Sequence, residues 1–148
     1  MMKLYLVRHG EALFAAVDSQ RSLSNTGCLQ VKNVAKRLQE RGAHPKHIFH
    51  SGILRAEQTA QILAEELSVR SIKKIANLLP EDAVESIFNQ TVVWTEDTLL
   101  VGHLPYMSRL LSMLSNEGYG IEFGTATVVC LEKINAQWMI EAVLNPMQ

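Results

Sequence analysis

The sequence predicts an α/β fold: one three-layer αβα domain over residues 1–148, with a mostly parallel sheet and an antiparallel C-terminal strand. Three observations carry this. Short apolar runs alternate along the chain with segments of helical period. Two of the runs, Leu4 to Val7 and Thr98 to Val101, lack the polar alternation of a half-exposed strand, as expected for strands covered on both faces. The last two runs are separated only by a short turn at Asn135-Ala136, which demands a hairpin rather than a helical crossover.

In chain order, Lys3 to Val7 forms the first strand, and Glu11 to Ser22 follow neither period and read as a loop. Ser24 is placed to cap a helix whose buried stripe is Val31, Val34, Ala35 and Leu38, with Gly42 as its stop. His47 to His50 forms a short strand. Ser51 can cap the next helix, which begins near Ile53 and buries Ala56, Ala60, Leu63 and Leu67. Ile72 to Ile75 carries Lys73 and Lys74 in its middle, which suits an edge strand. Pro80 is expected to open a short helix with Val84, Ile87 and Phe88 toward the core. Thr98 to Val101 is a strand, and Pro105 starts a helix with Met107, Leu110, Leu111 and Leu114 buried. Thr125 to Leu131 and Gln137 to Val143 complete the sheet as the hairpin. Repeats, low-complexity stretches and linkers are absent from the sequence.

Composition narrows the function classes. A hydrophobic content of 47% and a charged content of 20% are those of an ordinary globular protein. The net charge of −1 offers no global field for nucleic acid or an anionic membrane, so neither is expected as a partner and any anion site must be local. Cys28 and Cys130 are too few for a disulfide framework and lack metal-type spacing, so both are expected as plain buried thiols. No signal peptide or membrane-spanning run is expected, and a cytoplasmic protein is the default.

Chemistry concentrates where strands end. Val7-Arg8-His9-Gly10 and Val101-Gly102-His103 both place a histidine just past an apolar strand. If these strands are parallel neighbours, both imidazoles reach the sheet edge at which open α/β folds bind ligands. Arg55 sits in the first turn of a helix, where free N–H groups already attract anions and a guanidinium adds a bidentate fork. Together Arg8, His9, Arg55 and His103 form a candidate site for a dianion. His44, His47 and His50 have no metal-ligand pattern and are expected in ordinary boundary roles. Trp94, Tyr106, Tyr119 and Trp138 are expected at the core or its boundary, with Tyr106 near enough to His103 in sequence to border the site.

Four blocks in order, Leu6-Val7-Arg8-His9-Gly10-Glu11-Ala12, Leu23-Ser24-Asn25-Thr26-Gly27, Ser51-Gly52-Ile53-Leu54-Arg55-Ala56-Glu57-Gln58-Thr59-Ala60 and Val101-Gly102-His103-Leu104-Pro105, resemble the histidine phosphatase (phosphoglycerate-mutase-like) superfamily. Within it the likeness is greatest to the short phosphohistidine phosphatase branch, SixA. The resemblance implies two-step phosphoryl transfer without metal or cofactor. His9 is the implied nucleophile; Arg8, Arg55 and His103 are the implied phosphate ligands, with His103 most useful as a protonated donor. His9 must then be neutral at the attacking nitrogen, and its other nitrogen needs an acceptor such as a backbone carbonyl. Gly10, lacking Cβ, is expected to let the loop pass close to the phosphate.

The chain also departs from the family pattern. Gly52 stands where the family usually has Pro, and Leu104 stands where the acid phosphatase and phytase branch has its proton-donating Asp. Glu81 and Asp82 are the candidate general acids, with Glu11 and Asp18 behind them, although acidic residues in a helix's first turn are favoured by the dipole alone. A missing acid suits a phosphohistidine substrate, because imidazole leaves far more readily than an alkoxide. A chain of 148 residues also lacks room for the helical lid that encloses small substrates in larger relatives. The expected activity is therefore hydrolysis of phosphohistidine on a protein of the phosphotransfer-domain type. The alternatives are a phosphatase of small phosphate monoesters and a binding module that no longer turns over.

Overall fold

Apolar periodicity translates directly into layers. In the computed structural model, which describes residues 2–146, six strands form one sheet in the order β3-β2-β4-β1-β5-β6. They are β1 (Lys3–Arg8), β2 (His47–His50), β3 (Ser71–Lys74), β4 (Thr98–Gly102), β5 (Val128–Ile134) and β6 (Gln137–Leu144). The first four run parallel, β5 is antiparallel to β1, and β6 closes the hairpin. The expected domain span extends beyond this description by Met1, Met147 and Gln148.

Successive side chains of β1 go to opposite faces, as a strand's period of two requires. Tyr5 and Val7 join the cluster formed with helices α1 (Asn25–Glu40) and α2 (Leu54–Leu67), whereas Leu4 and Leu6 pack under α3 (Glu85–Val93) and α4 (Tyr106–Leu114). Leu4, Leu6, Val7 and every residue of the β4 run Leu99-Leu100-Val101 are fully buried, which explains why neither strand alternates in sequence. Each such side chain contributes about 1.5–3 kcal/mol of burial free energy. The expected stripes of α1, α2 and α4 are the buried ones.

Local chemistry sets most of the ends. Ser24 Oγ accepts the Gly27 N–H at 2.9 Å and caps α1. Past the helix, Gly42 N–H reaches the Gln39 carbonyl and Ala43 N–H the Leu38 carbonyl, with Gly42 at φ +74, so the expected stop is a Schellman turn. Strand β3 lies at one edge, as its lysines suggested. Asn135 and Ala136 both have positive φ, the backbone of a two-residue hairpin turn.

Three expectations are corrected. Pro80 does not open a helix: Asp82 Oδ2 accepts the Leu79 N–H at 2.9 Å while Asp82 N–H returns to the Leu79 carbonyl, closing a turn that delays α3 to Glu85. Ser51 is not the cap of α2, whose N-cap is Ile53. β5 starts at Val128 rather than Thr125, because the Ala126 N–H turns back to the Arg8 and His9 carbonyls at 3.0 Å. Among the described residues, no helix is long and apolar enough to cross a membrane.

Candidate active site

Sheet register builds the site. Arg8 pairs with Gly102 across β1 and β4, and Val101 pairs with His50 across β4 and β2. The carboxyl ends of three parallel strands therefore finish level, and the residues just past them, His9, His103 and Ser51, share one edge. A 3.1 Å bond from the His9 N–H to the Gly102 carbonyl extends the ladder one step. The two imidazole centroids consequently lie 5.1 Å apart.

The ring of His9 is held at both nitrogens. Its Nδ1–H donates to the Gly10 carbonyl at 2.7 Å, which places the neutral ring's lone pair on Nε2. That lone pair receives the Arg55 Nε–H at 3.3 Å. Burial pushes the imidazole down to about 4; the bond to Gly10 opposes the shift, and Arg55, Arg8 and Arg21 add to it. His9 is thus a neutral base with its open nitrogen toward the guanidinium of Arg55.

His103 is buried as well, and its Nε2 lies 2.6 Å from Ser51 Oγ. Burial, then His9 and Arg55, push it down to about 3, with Asp18 acting weakly the other way. The expected protonated donor is therefore neutral in this state; charging it requires an anion close by to offset the neighbouring cations. Its Nδ1 is buried and has no hydrogen-bond partner among the described residues.

Arg55 enters on the first turn of α2 and is buried. Besides His9, it donates from Nη1 to the Asp18 carbonyl at 3.1 Å and from Nη2 to the Asp18 carboxylate at 3.2 Å. Arg8 donates from Nη1 to the Phe123 carbonyl at 3.0 Å, while its buried Nε has no partner among the described residues. Burial, together with Arg21 and Arg55, holds Arg8 below its usual value. Three guanidiniums thus crowd one strand edge of a chain whose net charge is −1.

The structure brings Arg8, His9, Arg55 and His103 together. It gives the candidate acids other attachments. Glu81 is exposed and pairs with Arg109 at 3.8 Å, and Asp82 is bonded to the Leu79 N–H; neither is hydrogen-bonded to the cluster. Of the two in reserve, Glu11 accepts from Ser24 Oγ, and Asp18 is ion-paired to Arg55 and Arg21. Arg55 holds the Asp18 carboxyl below the usual carboxylate range, the wrong direction for a proton donor at neutral pH.

Gly10 has a different reason to be glycine from the one expected. A Cβ there would stand 2.9 Å from the Gly27 carbonyl and from Val31 Cγ2, so the bare backbone lets the loop close on α1 rather than on a ligand. Tyr106 is buried in the core and Tyr119 is exposed, against the expected boundary position for the latter. Arg21, Thr59 and the bond from Ser51 to His103 join the cluster without having been expected from the sequence. Arg21 stands in a stretch without period and gave no signal; Thr59 lies one helical turn beyond Arg55, which is a signal once Arg55 is singled out.

Strand ends delivering two histidines and a buried arginine at a helix start define a phosphate-handling enzyme, and comparison with known proteins agrees. Residues 4–79 match the family model of the histidine phosphatase superfamily (branch 1), and the chain belongs to that superfamily of phosphatases. It is 30% identical over 125 residues to the phosphohistidine phosphatase SixA of Escherichia coli (strain K12), covering 76% of this chain and 74% of that one. The solved structure of the protein histidine phosphatase SixA complexed with tungstate superposes with a TM-score of 0.91 at 25% identity, covering 98% of this chain and 97% of the other. A phosphoserine phosphatase of Entamoeba histolytica shares the fold at a TM-score of 0.68 and 15% identity, over 100% of this chain and 98% of its own.

Proposed function

We propose that this protein hydrolyses phosphohistidine on a protein substrate, without a metal, through a phosphohistidine formed on His9. The observation that carries the reading is the state of His9: neutral, with its proton on Nδ1 against the Gly10 carbonyl and its lone pair on Nε2. In the first step Nε2 attacks phosphorus, the P–N bond of the substrate breaks, and the leaving imidazole keeps the electron pair and takes a proton from solvent. In the second step water attacks the phosphorus, the P–Nε2 bond breaks, and orthophosphate leaves with the surplus proton released to solvent.

Arg8, Arg55 and His103 are the groups that meet the equatorial oxygens. Arg8 Nε and His103 Nδ1 are buried polar atoms without a protein partner, which suits acceptor-rich oxygens. The guanidiniums supply the charge stabilisation that other phosphoryl-transfer enzymes take from metal ions. As the dianion approaches, Arg55 exchanges the carboxylate of Asp18 and the lone pair of His9 for phosphoryl oxygens. The tungstate held by the SixA relative is a tetrahedral oxyanion of the same shape.

Substrate class follows from the leaving group. Once solvent has protonated its far nitrogen, a phosphohistidine ring leaves as neutral imidazole, with a conjugate acid of pKa about 6.5, whereas an alkoxide demands an acid placed at the leaving oxygen. Glu81 and Asp82 are bonded elsewhere and Asp18 is held ionised, which favours phosphohistidine over sugar phosphates. Brief incubation with a phosphohistidine-bearing phosphotransfer domain is expected to leave an acid-labile label on the protein, absent from His9→Ala; a label persisting in that variant overturns the mechanism. Binding of the phosphoprotein with no label and no turnover would mark a binding module. Turnover of sugar phosphates at an equal rate overturns the substrate class. Glu81→Gln and Asp82→Asn are expected to leave phosphohistidine turnover within about twofold, as surface changes away from the chemistry do.

A further inference from the structure

A closed circuit of hydrogen bonds passes through His9. Arg55 Nε–H donates to His9 Nε2 at 3.3 Å, and His9 Nδ1–H donates to the Gly10 carbonyl at 2.7 Å. Gly10 N–H donates to Thr59 Oγ1 at 3.1 Å, and the Thr59 hydroxyl donates to the Arg55 carbonyl at 2.8 Å. Thr59 is wholly buried on α2, one turn past Arg55. A threonine bonding back to the carbonyl four residues earlier adds nothing to a helix interior and slightly weakens it. Valine has the same shape without the hydroxyl, so the helix alone gives no reason for threonine. The second bond, to the loop, does.

From this circuit we infer that Thr59 is a positioning residue for His9, tethering Gly10 so that its carbonyl keeps the ring proton on Nδ1 and leaves Nε2 free to attack. Gly10 needs a tether because it lacks the Cβ that restricts backbone angles elsewhere. Added bulk is not an alternative, since Gly27 and Val31 already fill the space beside its Cα. The tautomer needs the carbonyl because the partner of one ring nitrogen decides which nitrogen carries the proton, and a free imidazole side chain prefers the proton on Nε2. Without the tether the free side chain's preference is opposed chiefly by the Arg55 Nε–H, and part of the population carries the proton on the attacking nitrogen. Thr59 thus couples two elements far apart in the chain: the helix that delivers Arg55 also sets the protonation pattern of His9. The inference rests on His9 being the nucleophile.

The test compares Thr59→Val, which keeps the shape, with Thr59→Ser, which keeps the hydroxyl. Phosphorylation of His9 in Thr59→Val is expected to slow by about 10- to 100-fold, the usual loss when a ligand-orienting partner is removed, with KM within about twofold. Thr59→Ser is expected to recover most of the rate. The 15N spectrum of His9 in the wild type is expected to report the Nδ1-protonated form, and in Thr59→Val a mixture with the Nε2-protonated form. An Nε2-protonated His9 in the wild type overturns the inference, as does a Thr59→Val variant with an unchanged rate or an unchanged tautomer. Equal loss in Thr59→Ser and Thr59→Val also overturns it. Should Thr59→Val not fold, Thr59→Ala is held to the same outcomes. Failure of the wild type to label on His9 overturns the nucleophile reading instead, and the tautomer remains measurable on its own.

Discussion

Two regions of this molecule invite a ligand, and they do so by opposite means. Between α3, α4 and the β5–β6 hairpin lies a cavity of about 500 Å3, walled by Phe88, Val92, Met113, Trp138 and Met139 with Lys133 at its side. Thr91, Ser115, Asn116, Glu117 and Gln137 make much of the rest of its wall polar, but neither histidine nor arginine lines it. The strand edge that holds Arg8, His9, Arg55 and His103 has three guanidiniums nearby, two imidazoles held neutral and two buried polar atoms without protein partners. Perturbed titratable groups and converging strand ends, rather than cavity size, single out the strand edge as the candidate reactive region.

Breaking the cationic edge should therefore be felt far more than altering the groove. The largest effect after loss of His9 itself is expected for Arg55→Met: removing a group proposed to meet developing phosphoryl charge should lower kcat by about 10²- to 10³-fold, measured on any accepted substrate. Next comes pH. Under the proposed mechanism His9 attacks when neutral; with its titration at about 4, kcat/KM should lose no activity to His9 protonation between pH 8 and 5, then fall about tenfold per unit below that titration. Stability should respond earlier. The folded protein keeps His9 and His103 neutral down to about 4 and 3, whereas the unfolded chain takes up protons near 6.5, so acidification below 6.5 favours unfolding. Each ring contributes up to about 1.4 kcal/mol per pH unit in that window, readable as a falling denaturation midpoint. The smallest effect is expected for Met113→Gln in the groove, which should leave turnover within about twofold and stability within about 0.5 kcal/mol. A marked loss of turnover there would mean that the groove takes part in substrate binding.

Legibility in the sequence followed the same division. Strands β1 and β4 were readable because burial on both faces removes polar residues, and the four residues of the candidate site could be singled out because each closes such a strand, stands directly after it or lies at a helix start. The supporting contacts were not. Ser51 meets His103 across 52 residues and Thr59 meets Gly10 across 49, and no local period records a contact of that span. Pro80 misled because a helix-opening proline and a turn closed by Asp82 have the same local composition.

Gly52 carries a consequence for engineering by consensus. Its φ is +90 and its N–H donates to His50 Nδ1 at 3.0 Å, whereas proline, the usual residue of the family the chain resembles, fixes φ near −65° and has no N–H to give. Replacement by the commonest family residue often stabilises a protein. At this turn the same rule would force a new backbone path into α2 and orphan a buried imidazole nitrogen, so the consensus choice has to be read against the conformation of this chain.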